Sequence, residues 1–145
     1  MRCGVILAII GFLFISSSKG WGADWESFGG NATADFYYDT ENITHPSKDV
    51  IRVYVKRLYT EKGVSDLVGA LGIKFKIVRH SVDSYEVQCG DKKFRLLSSV
   101  VYSTDEEILE SFNYQEPTWK VIVPESVIDT LYKTPLQVTS NSGQP

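Results

Sequence analysis

The chain has 145 residues, 43% of them apolar, with a formal net charge of -3 and a pI near 5.4, the proportions of one globular domain. The first 20 residues hold 12 apolar ones and no acid, so the other 125 carry 13 Lys+Arg against 18 Asp+Glu, a net charge near -5. That acidity excludes a nucleic-acid binder that works by neutralising phosphates, which needs a basic excess.

Residues 1–20 read as a secretory signal. Arg2 supplies a positive start, residues 5–15 form an apolar run, and Ser16, Ser17, Ser18, Lys19 and Gly20 make a small polar end. The run would cover about 17 Å of a hydrocarbon core roughly 30 Å thick, so it is too short to span. Contact with the membrane is then confined to export, with cleavage after Gly20 or Gly22, where small residues fill the last and third-last positions. An uncleaved tether is the competing reading. Cys3 precedes the apolar run, the wrong side for a lipid-attachment cysteine, so Cys89 is the cysteine of the mature chain. An odd cysteine in an exported protein is a thiol or an intermolecular bridge.

The mature domain, residues 24–134, opens with two predicted strands, 25–28 and 36–38, joined by a polar loop that begins at Gly29 and Gly30. A turn follows at 45–49, and residues 50–59 give the clearest strand. There Ile51, Val53 and Val55 point one way while Arg52, Tyr54 and Lys56 point the other, the period of two of a sheet with one face on a core. The period then changes: Leu67, Val68 and Leu71 share a helical face over 65–71, with Ser65 placed to cap and Gly72 to stop. Gly69 costs that helix ~1 kcal/mol against alanine. Strands are predicted at 75–78, 85–89 and 93–102, the last two forming a hairpin through Gly90, Asp91 and Lys92. Asp105, Glu106 and Glu107 fill a turn before strands at 108–112 and 119–123. Ser126, with Asp129 three positions on, caps a last helix whose apolar stripe is Val127, Ile128 and Leu131. Residues 139–145 read as a disordered tail.

Few motifs carry chemistry. The phosphate-cradling glycine loop, the G-x-S-x-G elbow, the H-E-x-x-H pair and zinc-spaced cysteines are all absent. His45 and His80 stand apart from other ligating residues, so no metal, cofactor or catalytic residue is predicted. Asn31-Ala32-Thr33 and Asn42-Ile43-Thr44 match the glycosylation acceptor pattern and mark surface loops. The one basic and aromatic concentration is Arg52, Lys56 and Arg57 interleaved with Tyr54 and Tyr59, with Lys62 beyond. Arg52, Tyr54 and Lys56 are the candidate partner-binding residues, a strip for an acidic macromolecule. The plainer alternative is a solvated sheet face with cross-strand acids.

Taken in order, Trp25, Phe36-Tyr37-Tyr38-Asp39, the strand from Val50 to Val55, Tyr85-Glu86-Val87-Gln88-Cys89, Phe94-Arg95-Leu96-Leu97-Ser98 and Trp119-Lys120-Val121-Ile122-Val123-Pro124 resemble the bacterial surface-adhesin protein E-like family. The resemblance covers about residues 24–134. It implies an antiparallel sheet with helices packed on it, exported, with relatives acting at the cell surface as adhesins for host matrix and serum proteins. Relatives commonly carry a second cysteine just after the last helix, paired with the equivalent of Cys89. Here that stretch reads Tyr132-Lys133-Thr134-Pro135-Leu136. Losing such a staple typically costs about 2–5 kcal/mol, leaving Val127, Ile128 and Leu131 to hold the helix and Cys89 buried and unreactive.

The expected fold class is therefore α+β, a mostly antiparallel sheet of about six strands with one short mid-chain helix and one C-terminal helix. The expected function is non-enzymatic: an exported domain that binds a protein or other macromolecule at the bacterial envelope or outer surface, as an adhesin. A periplasmic accessory protein binding other envelope components is the alternative, and a small-ligand binder or hydrolase a third reading. The partner and the oligomeric state are left open.

Overall fold

The computed structural model describes residues 23–134; the signal segment expected at 1–20 and the disordered tail expected at 139–145 lie outside the described residues. In chain order come β1 (Trp25–Gly30), β2 (Ala34–Asp39), β3 (Thr44–Ser47), β4 (Val50–Tyr59), α1 (Glu61–Leu71), a 3-10 segment (Ile73–Ile77), β5 (Val78–Gln88), β6 (Lys93–Ser103), β7 (Ile108–Asn113), β8 (Lys120–Val121) and α2 (Val127–Tyr132). Six strands lie side by side in the order β1-β2-β4-β5-β6-β7, while β3 pairs with β4 and β8 with β6. Every pairing is antiparallel. This is the α+β class expected, with short β3 and β8 bringing the sheet to eight strands.

The alternation of β4 decides which face is covered. Ile51, Val53 and Val55 are buried, and the register sets Val53 opposite Tyr85 and Val55 opposite Tyr38. They join Ala34, Phe36 and Leu131 in one apolar cluster, onto which Val127 and Ile128 of α2 pack. A second cluster of Phe75, Val78 and Val101 receives Val64, Leu67 and Val68 of α1. Val101 and Arg57 both stand opposite Ser81, so the two clusters share one sheet face. Both helices therefore sit on that face, and no described helix packs on the other.

Several boundaries differ from expectation for local reasons. The first helix starts one turn early because Thr60, not Ser65, is its cap: the Thr60 side chain accepts from the Gly63 N–H. Residues 73–77 form a 3-10 segment rather than a strand, with only Phe75 buried, and β5 then runs unbroken to Gln88. His45 lies in β3 where a turn is expected, and the strand predicted at 119–123 contracts to two paired residues.

Cys89 is half-buried in the turn after β5 rather than buried at a strand end. Nor does α2 rest on its apolar stripe alone. Tyr132 donates its hydroxyl proton to the Cys89 carbonyl at 2.8 Å, tying the helix to the turn that a disulfide would have reached. The expected Ser126 cap is present, accepting from the Asp129 N–H, and Asp129 in turn accepts from the Glu125 N–H.

Two glycines of α1 have opposite reasons. Gly63 is buried where the first turn crosses the β1–β2 loop, held there by Thr60 N–H donating to the Thr33 carbonyl and Thr60 Oγ1 to the Ala32 carbonyl. A Cβ on Gly63 would overlap the Thr33 carbonyl oxygen, whereas one on Gly69 would meet nothing within 4 Å. Gly63→Ala is expected to lower stability by about 1–3 kcal/mol through overpacking, despite a helix propensity gain of ~1 kcal/mol. Gly69→Ala is expected to raise stability by about 0.5–1 kcal/mol. Urea midpoints at unchanged slope measure both; equal shifts of the same sign would show that α1 does not press on that loop.

Candidate binding face

The even-numbered residues of β4 reach the face that no described helix covers. There the register aligns Arg52 with Glu86 and Glu86 with Arg95, so a carboxylate on the central strand lies between two guanidinium groups. Arg52 donates from Nε at 3.2 Å and Nη2 at 2.7 Å to one Glu86 oxygen. Arg95 donates from Nε at 2.8 Å to the other, and its Nη2 forms an ion pair with the same oxygen at 2.7 Å. Glu86 is only 2% exposed. Burial pushes its pKa up, but the hydrogen bonds from Arg52 and Arg95 and their charges outweigh burial and hold it below the ordinary glutamate value.

Aromatic rings frame the cations. The Arg95 guanidinium lies 4.3 Å from the centroid of Trp119. Lys56 Nζ stands 5.0 Å from the Trp25 centroid and 5.1 Å from that of Tyr37, its neighbour across the β2–β4 ladder. Between these two groups Tyr54 is 39% exposed. This face of an acidic domain thus presents Arg52, Lys56, Lys93 and Arg95 against Glu86 and Asp39, which pairs with Trp25, with Asp35 exposed toward the margin beside Leu58. A ring beneath a cation fixes its position, and partial desolvation strengthens the contact.

Arg52, Tyr54 and Lys56 therefore share one face, as their spacing requires. Arg52 also has the cross-strand acid of the plainer reading, while Lys56 sits over rings. Arg57 and Tyr59, grouped with the strip in sequence, stand on the helix side, and Lys62 lies on α1 paired with Asp66. Tyr37 is, with Tyr54, a surface aromatic that the sequence offers as an anchor; Glu86, Arg95, Trp25 and Trp119 are not candidate contact residues from sequence. The turn after Gln88 carried the signal for one pair, because a tight hairpin there sets Gln88 against Lys93 and hence Glu86 against Arg95. Nothing local pointed to Trp119.

The other candidates resolve simply. His45 is exposed in β3, and His80 stacks on Tyr102 at 4.9 Å, burial pushing its pKa down. The turn at 105–107 is closed by Ser103 Oγ, which accepts from the Asp105 and Glu107 N–H groups. Among the described residues no cluster of His, Cys, Asp and Glu could hold a metal ion, and no helix is long and apolar enough to cross a membrane.

In comparisons with known proteins, residues 25–134 match the family model described as surface-adhesin protein E. No curated protein and no solved structure matches the chain.

Glu86→Gln leaves two guanidinium groups facing each other without a counter-charge and is expected to cost about 1–3 kcal/mol at neutral pH. A carboxylate whose folded pKa is lowered adds stability above its unfolded pKa and loses it as pH falls through the folded value. The gap between wild type and variant should therefore narrow on acidification below the ordinary glutamate range. Urea unfolding at a series of pH values measures this, and a gap independent of pH would show that Glu86 is not ionised by its partners.

Proposed function

The chain belongs to the surface-adhesin protein E family, and on that premise we propose that it is an exported, non-enzymatic binding domain of the bacterial envelope that holds a protein partner at the cell surface. Family membership supports the surface-adhesin reading. The observation that carries the contact site is the uncovered sheet face, where Arg52, Lys56 and Arg95 stand among Trp25, Tyr37, Tyr54 and Trp119.

Such a face suits an acidic stretch on a host matrix or serum protein. Opposite charge raises the encounter rate over a screening length of about 8 Å at physiological salt. Once contact is made, rings already fixed against cations lose little side-chain entropy on docking and serve as anchors. Tyr54, the most exposed ring of the strip, lies between the two cationic groups and is the natural centre of such a contact. The Arg52–Glu86–Arg95 group contributes a positive rim while its buried carboxylate keeps the two guanidinium groups in place.

Cells displaying the protein should adhere to surfaces coated with serum and matrix proteins, with adhesion weakening as salt rises. Lys56→Glu combined with Tyr54→Ala is expected to lower affinity about tenfold or more, the loss of roughly 1.4 kcal/mol. Undiminished adhesion by the double variant would remove this face from the proposal. Protease added to intact cells should degrade the protein; full protection would place it in the periplasm and favour an accessory role there.

A further inference from the structure

The helix-covered face contains a feature that adhesion through the opposite face does not use. Three cavities adjoin one another along the sheet. The first, about 340 Å³, lies between Phe28 of β1 and the start of α2. The second, about 220 Å³, shares Phe36 and Val127 with the first and ends at Arg57 and Tyr59. The third, about 280 Å³, begins at the same Arg57 and Tyr59 and passes beneath Leu67 and Leu71 of α1 to Phe112. Successive cavities share wall residues, so they line up as an interrupted furrow beside both helices, each cavity near the lower end of the ~300–1,000 Å³ range of ligand sites.

The third cavity is the most apolar, walled by Leu67, Leu71, Phe75, Leu96, Val101 and Phe112, whereas the first also has Asn31, Glu125, Ser126 and Thr130 on its walls; polar side chains converge where the second and third meet. There Arg57 Nη2 lies 3.3 Å from the Tyr85 hydroxyl, to which it donates, and 3.4 Å from Asp83 Oδ2, while Ser99 donates to Asp83 Oδ1 at 2.5 Å. Arg57 Nε is buried with no acceptor, a costly state for a guanidinium donor. The Arg57 side chain is nevertheless 35% exposed, and it lines both of the cavities that meet there. The enclosed Nε is out of a ligand's reach, and it is the exposed remainder of the Arg57 side chain that faces these cavities. Asp83 already balances the charge of Arg57, so a carboxylate brought to this point would meet a second carboxylate. A cation would meet donors. What fits is an uncharged acceptor.

We propose that the furrow binds an elongated neutral amphiphile, an acyl chain bearing an amide, ester or hydroxyl group, whose oxygen accepts from Arg57 while its chain lies beneath Leu67 and Leu71. The chain replaces water against the apolar walls beneath α1, and the head group accepts from the exposed part of the Arg57 guanidinium. Asp83 and Tyr85 hold the guanidinium in place for it.

Three eight-carbon probes differing only in head group test this: octanamide, octanoate and octylammonium, each titrated into the exported protein at neutral pH by calorimetry. Octanamide should bind about tenfold or more tightly than either charged probe. Arg57→Met should abolish that preference. Leu67→Trp, which fills the cavity beneath α1 without altering Arg57, should abolish binding of all three, and it keeps the test decisive if the Arg57 variant fails to fold. Binding of none of the probes, a preference for octanoate, or octanamide binding unchanged in Leu67→Trp would each overturn the proposal.

Discussion

The structure depends on the registration of three central strands, and the Arg52–Glu86–Arg95 group is what locks it. A slip of one residue between β4 and β5 would turn Ile51, Val53 and Val55 toward solvent and carry Arg52 and Lys56 into the core. It would also leave Glu86, nearly fully buried, without its cations. Buried ion pairs are weak contributors to net stability, because desolvation offsets much of the attraction. Breaking one is costly, however, and that asymmetry penalises the wrong register more than it rewards the right one. With β4, β5 and β6 fixed in this way, which side chains meet the helices and which meet the outside follows from alternation.

The helices are held by different means. α1 rests on the Phe75, Val78 and Val101 cluster and is anchored at its start by Thr60, whose main chain and side chain both bind the β1–β2 loop. α2 is only six residues long, too short to persist without tertiary support. Leu131 is fully buried in the other cluster, Ser126 and Asp129 satisfy donors at the N-terminal end, and Tyr132 reaches the Cys89 carbonyl. A hydrogen bond of about 0.5–1.5 kcal/mol does not match a disulfide, but it spans the same two segments. The resemblance implied a missing staple here, and the geometry supplies a weaker tie in its place.

What could be read from the sequence follows from which strands obey alternation. β4 is legible because over residues 51–56 the aliphatic groups Ile51, Val53 and Val55 fall on one face and Arg52, Tyr54 and Lys56 on the other, and α2 because cap and stripe agree. β5 is half hidden: Ser81 and Asp83 face the helices while Val82 faces outward, so the pattern inverts before Tyr85 restores it. The 3-10 segment misled in the opposite sense, since Ile73, Phe75 and Ile77 alternate with lysines as a strand would, yet Ile73 and Ile77 are exposed. The Arg52, Tyr54 and Lys56 strip follows from one strand alone. Its partners Arg95, Trp119, Trp25 and Tyr37 come from four other parts of the chain, and only the Glu86–Arg95 pairing follows from a local turn. The start of α1 was hidden because Gly63 reads as a helix breaker, although the approach to Thr33 is what requires it.

Asp83 and Glu86 sit three residues apart on β5, both buried, and their environments drive their acidities in opposite directions. Glu86 has a guanidinium on each oxygen, which overcomes burial and lowers its pKa. Asp83 has one guanidinium at 3.4 Å and a hydroxyl, and burial prevails, raising its pKa. The consequences for stability also have opposite signs. Glu86 supports the fold above the ordinary carboxylate range and ceases to as pH falls through its lowered value. Asp83 binds its proton more tightly in the folded state, so raising pH through the interval between its unfolded and folded values lowers stability. One strand thus carries a firmly ionised acid toward the open face and a reluctant one toward the helices. The open face keeps fixed charge and a surplus of cations, suited to attraction at a distance. The covered face is left with a balanced pair inside apolar walls, where shape and a single hydrogen bond count for more than charge.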